Sequence, residues 1–227
     1  VKTDGLSANI QGQKTGDTVS LDAFSGTWFD SNFNITGSVL LLPEQSPVID
    51  LGVEIKLSLR DLPNMLPPAQ AKQVSALKLA GIVKVTAEAK GPVAQWQELA
   101  STISVETPAF YMMGYQIADL AVEAVQREGR VDPLTVQGTL YGGALNAAGT
   151  VDLRGDGMPF TANLRITDTI LEQLKKDTPL KNRQMSGLLS ATADAQGALN
   201  NIRAMTGNAA VKIVNGYLWE LEILSRV

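Results

Sequence analysis

The feature that most restricts what this chain can fold into is an internal duplication. Gly26-Thr27-Trp28-Phe29 leads on to Phe33-Asn34-Ile35-Thr36-Gly37-Ser38-Val39, and Gly138-Thr139-Leu140-Tyr141 leads on to Leu145-Asn146-Ala147-Ala148-Gly149-Thr150-Val151. Leu57–Asp61 is matched in the same way by Leu164–Asp168, Gly81–Gly91 by Gly187–Gly197, and Gly114-Tyr115 by Gly216-Tyr217. Four landmarks recur in one order, with spacing that drifts only by small deletions. We read two tandem units, residues 1–119 and 120–227, with the boundary near Leu120. A repeated unit that stacks on its neighbour favours an elongated array in which each copy extends the sheet of the other.

Within each unit the hydrophobic period is two. Val53, Ile55, Leu57 and Leu59 alternate with Glu54, Lys56, Ser58 and Arg60, and Val83, Val85, Ala87 and Ala89 alternate with Lys84, Thr86, Glu88 and Lys90. Phe160, Ala162, Leu164 and Ile166 alternate with Thr161, Asn163, Arg165 and Thr167. Such strands carry one apolar and one polar face, the pattern of an antiparallel sheet with one wet side. Turn signals at Gly16-Asp17, Gly142-Gly143 and Gly155-Asp156-Gly157 separate the windows. Short helices are expected at 69–77, at 93–101, at 199–205 and at 170–177, the last capped by Thr167-Asp168 and stopped by Pro179. The expected fold is mainly β: two repeats forming an elongated, curved antiparallel sheet with a few short helices.

Composition removes chemistry. The chain has no cysteine and no histidine, so disulfides, thiolate nucleophiles and the common zinc and acid–base residues are absent. A net charge of −4 without a basic run disfavours nucleic acid as a partner. No window is apolar for long enough to span a bilayer as a helix. Gly12-Gln13-Lys14-Thr15-Gly16 lacks phosphate-loop spacing and reads as a turn. Asp152 with Asp156 and Asp119 with Glu123 are carboxylate pairs without a supporting constellation, and read as solvated surface. We expect no enzyme activity, no metal and no cofactor.

In order and spacing, several short motifs resemble the C-terminal repeats of the AsmA-like family, the group of bacterial envelope proteins that includes TamB and YhdP. They are Leu140-Tyr141-Gly142-Gly143, Met158-Pro159-Phe160, Ile166-Thr167-Asp168, Met185-Ser186-Gly187, Ala195-Gln196-Gly197, Met205-Thr206-Gly207 and Asn215-Gly216-Tyr217-Leu218-Trp219. The second copy carries the likeness better, since Trp28-Phe29-Asp30 replaces Leu-Tyr-Gly in the first. The resemblance implies a periplasmic protein tethered to the inner membrane by a segment outside this fragment. It also implies a β-groove with an apolar interior that binds or conducts phospholipid for outer-membrane lipid homeostasis and biogenesis.

On that reading the candidate lipid-contacting residues are Val53, Ile55, Leu57, Leu59, Val83, Val85, Phe160, Leu164 and Ile166. The residues by themselves leave a second covering open, an ordinary core in which the alanines Ala87, Ala89, Ala191, Ala193 and Ala195 meet bulky facing partners. The alternative function is a non-enzymatic structural or protein-interaction scaffold of the cell envelope, pairing with envelope proteins through its edge strands.

Overall fold

Each period-two window becomes a strand in the computed structural model, which describes residues 5–178, 181–182 and 184–218. The first unit supplies β1 (Leu6–Thr15), β2 (Thr18–Trp28), β3 (Ser31–Leu40), β4 (Val48–Ser58), β5 (Ile82–Pro92) and β6 (Ala100–Met112). β7 (Tyr115–Arg127) spans the expected boundary, and the second supplies β8 (Arg130–Leu140), β9 (Gly143–Asp152), β10 (Pro159–Ile170), β11 (Met185–Ala198) and β12 (Thr206–Leu218). All twelve lie in one antiparallel sheet whose spatial order is the chain order, and β1 and β12 are its two edges rather than neighbours. The sheet is therefore not closed into a barrel.

Tight turns impose this meander. Met113-Gly114, Glu128-Gly129 and Tyr141-Gly142 each have positive φ at both residues, the mirror-image turn whose twist matches that of the flanking strands. The hairpin expected on Gly142-Gly143 is thus shifted by one residue. Gly143 pairs with Leu140 inside the ladder, and a Cβ there would collide with Thr167 and Thr169 backbone.

Longer connections carry the helices: α1 (Leu62–Met65) and α2 (Pro68–Ala76) between β4 and β5, and α3 (Leu171–Leu174) after β10. The cap expected at Thr167-Asp168 does not form. A register shift lets β10 run on to Ile170, and the fully buried Thr169 hydroxyl donates to the Leu140 carbonyl at 3.1 Å. The strand ladder takes the residues that a cap would have used, and the helix starts behind an extended Ile170 with no side-chain cap. Pro179 lies outside the described residues.

The two units share their irregularities as well as their strands. Val93–Glu98 and Leu199–Ala204 are 3-10 turns broken at equivalent residues, Gln95 (φ −114°, ψ 57°) and Asn201 (φ −142°, ψ 62°). Leu120 falls inside β7, and β6 pairs with β7 from Ser101 to Met112, so the units join within one continuous sheet.

Among the described residues the most extensive strand contacts are between sheet neighbours. Among the described residues the buried apolar side chains are Leu59, Val83, Leu145 and Leu171. The chain's accessible surface is 14624 Å², whereas a compact protein of 24.2 kDa exposes about 10,000 Å². The excess is what a sheet of one layer must show.

Candidate functional site: an uncovered apolar face

Antiparallel pairing puts directly opposed residues on the same face, so the register can be followed across the sheet. From β1 to β12 one transverse row reads Ala8, Gly26, Phe33, Ile55, Val85, Val105, Val122, Val136, Ala147, Leu164, Ala193, Ala209. The adjacent row on the same face reads Ile10, Phe24, Ile35, Val53, Ala87, Ile103, Ala124, Leu134, Gly149, Ala162, Ala195, Gly207. Neither row contains a polar side chain. On the opposite face one row runs Asn9, Ser25, Asn34, Glu54, Thr86, Ser104, Glu123, Thr135, Ala148, Asn163, Asp194, Asn208.

At about 4.8 Å between strands and about 7 Å between rows, the two apolar rows form a band of roughly 53 by 14 Å. That is on the order of 700 Å² in projection, above the roughly 300–600 Å² of the largest patch on a typical monomer. Most of its side chains are half-buried by their own neighbours, and Ile103 is 40% exposed. In the second unit Gly149, Ala162, Ala195 and Gly207 succeed one another, so the band has a floor of small residues there.

The candidate residues fall into two groups on this face. Val53, Ile55 and Leu57 on β4 oppose Ala87, Val85 and Val83 on β5 and form one patch. Phe160, Leu164 and Ile166 lie on β10, five strands further on, and Phe160 lies against Gly197. The sheet joins the groups through residues that sequence reasoning passed over: Val105, Val122, Val136 and Ala147 in the first row, Ile103 and Leu134 in the second. Their windows, such as Ile103-Ser104-Val105-Glu106, carry the same alternation. Leu59 and Val83 differ in being buried; Leu59 follows β4, and its N–H donates to the Gly81 carbonyl at 3.0 Å.

Polar groups flank the two rows on this face, Trp28 and Ser31 on one side and Ser101 and Gln126 on the other. The Trp28 indole N–H, on β2 between Leu6 and Ser31, is buried without an acceptor, a donor for which a buried site normally supplies a partner. Polar contacts tie the connections between strands to the margins of the sheet. The Gln126 amide donates to the Trp96 and Gln97 carbonyls at 2.8 and 3.0 Å. Arg154 forms a two-pronged pair with Glu98, its Nε at 2.6 Å from Oε1, and this hydrogen bond holds the Glu98 carboxyl below its ordinary range. Across the second unit the Tyr141 hydroxyl donates to Asp177 at 2.7 Å and accepts from the Gln116 N–H at 3.1 Å. Burial, and then the bond to Asp177, push its pKa up to about 12.

The polar face carries a cleft of about 800 Å³ across β3 to β7, walled by Glu54, Lys56, Lys84, Glu106 and Asp119 with Ile82 and Pro108. Its charges are of both signs and solvated. Of the carboxylates singled out in the sequence, Asp152 accepts the N–H groups of Arg154 and Gly155 at 3.0 and 3.1 Å, which fixes a turn. Asp119, with φ 50°, sits where β7 shifts register.

A model of the AsmA family matches residues 69–223, more than half of the chain. No curated protein and no solved structure matches it.

Proposed function

The chain belongs to the AsmA family, and we propose that it holds the acyl chains of phospholipid on the apolar face of its sheet, as a segment of an envelope protein that carries lipid. The AsmA family is a bacterial envelope family. We place the segment in the periplasm, tethered to the inner membrane by a part of the protein not present here; among the described residues no helix is long and apolar enough to cross a membrane. The role is passive, with no bond made or broken.

The observation that carries this reading is the pair of twelve-residue apolar rows that run across one open, single sheet. An apolar face in water is unfavourable by about 25 cal/mol per Å², so a face of this extent calls for an apolar covering. Saturated tails suit it: the apolar side of β4, from Ile49 to Leu57, is about 27 Å long, against roughly 15 Å for one leaflet's hydrocarbon.

Native mass spectrometry of gently purified protein tests the proposal. Phospholipid should leave with the protein, and Leu164→Gln should reduce the bound fraction while the circular dichroism spectrum and melting curve stay close to wild type. Protein that arrives free of lipid, and takes up none from phospholipid vesicles, overturns it.

A further inference from the structure

The tip of the β6–β7 hairpin, in the middle of the sheet, is apolar and faces water. Tyr111, Met112, Met113, Gly114 and Tyr115 are all exposed, Met113 by 58% and Tyr111, Met112 and Tyr115 by 38% each. The turn itself does not call for methionine. Its first residue has positive φ, a place that asparagine, aspartate and glycine fill at least cost. Met113 stands there at φ 54°, whereas Asn215 holds the corresponding place, at φ 52°, in the second unit. The hairpin thus keeps a large apolar side chain in water where a small polar one suits the backbone better.

The tip is also held firmly. The Met113 N–H donates to the Leu77 carbonyl at 2.7 Å, and Ala80 and Tyr111 exchange two hydrogen bonds at 2.9 and 3.0 Å. On the other side Gly114 lies against the Asp177 backbone, and the Tyr141 hydroxyl joins the Gln116 N–H to the Asp177 carboxylate. Connections from both units grip this one turn, and Leu77, 39% exposed, widens its apolar surface.

Charge around the tip runs against that of the whole chain. The net charge is −4, yet no acidic residue occurs from Leu62 to Ala87 or from Thr107 to Ala118. These segments bring Lys72 and Lys78, both exposed and without an ion-pair partner among the described residues. Lys175 and Lys176 precede Asp177 on the other side. Asp61 and Asp177, at the feet of the two connections, each accept a hydrogen bond, from the Asp30 N–H at 3.2 Å and the Tyr141 hydroxyl at 2.7 Å. Glu106 and Asp119 lie back in the sheet, on the walls of the polar cleft.

We infer that this tip, Tyr111 to Tyr115 with Leu77, docks on a membrane surface that carries anionic phospholipid, with Lys72 and Lys78 against the phosphates. Adaptable thioethers, tyrosines with an apolar ring and a polar end, and long-stemmed lysines together suit the headgroup layer of a bilayer. An anionic leaflet supplies the charge that the lysines lack a partner for. The docking goes beyond lipid held on the sheet and does not depend on it, because the tip lies at the strand ends and the apolar rows lie on the face.

Vesicle sedimentation with the full chain tests the inference. Wild type should sediment with vesicles of phosphatidylcholine and phosphatidylglycerol in equal parts, and about tenfold less with phosphatidylcholine alone or in high salt. Met112→Ser with Met113→Asn keeps a residue suited to the turn, so the melting curve should hold while binding falls about tenfold. Lys72→Glu with Lys78→Glu should lose binding about tenfold as well. Lys14→Glu with Arg203→Glu makes the same change in charge at the opposite ends of the strands and should bind like wild type, as should Ile103→Asp on the sheet face. Wild type that stays in the supernatant, or methionine variants that sediment like wild type, would overturn the inference. So would a loss in the Lys14 and Arg203 pair, or in Ile103→Asp, as large as that in the tip variants.

Discussion

Replacing Ile103 by aspartate tests the apolar face near the middle of the sheet. Ile103 lies in the second row between Ala87 and Ala124, and small neighbours leave its side chain 40% exposed. Full burial of an isoleucine is worth about 1.5–3 kcal/mol, so the part lost here costs folding about 1–2 kcal/mol. A bound acyl chain suffers more. The carboxylate keeps its water, and a tail lying along the row loses contact over about three methylenes at about 0.8 kcal/mol each, or ~2.4 kcal/mol in all. That is roughly 50-fold in lipid affinity. The control is Ala100→Asp on the same strand but the polar face, opposite Lys90, which adds the same charge without touching the row. Uptake of a fluorescent phospholipid from vesicles, with urea titrations in parallel, reads both terms. If both variants take up lipid like wild type, the apolar rows are not where lipid sits. If both lose it equally, net charge rather than the face is responsible.

Three other perturbations follow from local geometry. Tyr141→Phe leaves the Gln116 N–H and the Asp177 carboxylate without their shared partner and should cost about 1–2 kcal/mol in a urea titration. The raised pKa of Tyr141 means the folded state favours the protonated hydroxyl. Its contribution is therefore complete below pH 10 and lost as pH rises from 10 to about 12, so the stability gap between wild type and Tyr141→Phe should narrow over that window. Gly37→Ala should destabilise by at least about 1–2 kcal/mol, because φ is +131° and a Cβ would collide with the Asp50 carbonyl. Gly52→Ala on the next strand, with only the Thr36 hydroxyl near at 3.5 Å and no positive φ, should be neutral or mildly stabilising by the same titration.

Strand content was legible because alternation is a local record of two environments: Val53 to Leu59 announces a face whatever covers it. The helix expected at 69–77 forms as α2 behind Pro67 and Pro68, whereas those expected at 93–101 and 199–205 are only broken 3-10 turns, the first giving way to β6 at Ala100. Where two local preferences compete, the sequence was a poorer guide. Thr167-Asp168 is a sound cap by residue type, but Thr169 gains more by entering the ladder and bonding Leu140. Gly142-Gly143 offers two permissive residues, yet the turn uses Tyr141 in a left-handed conformation and leaves Gly143 for a close approach that only glycine tolerates. The covering of the apolar face was not legible, since alternation reads the same in a sandwich and in a single layer. The rows themselves depend on register across eleven pairings, so Val105, Val122 and Val136 gain their meaning only once strands are placed side by side.

The strict neighbour-to-neighbour order of the strands also bears on how the chain reaches its folded state. Every pairing joins segments that are close in sequence, and no strand must wait for a distant one. Sheet proteins with long-range pairings fold slowly because loop closure comes before any compensating contact. Here a hairpin such as β8–β9 can form first and recruit strands on either side, so growth starts anywhere and unravelling starts at the ends. Hydrogen exchange should accordingly be slowest at β6 to β8 and fastest at β1 and β12, a gradient along the chain rather than one shared opening event.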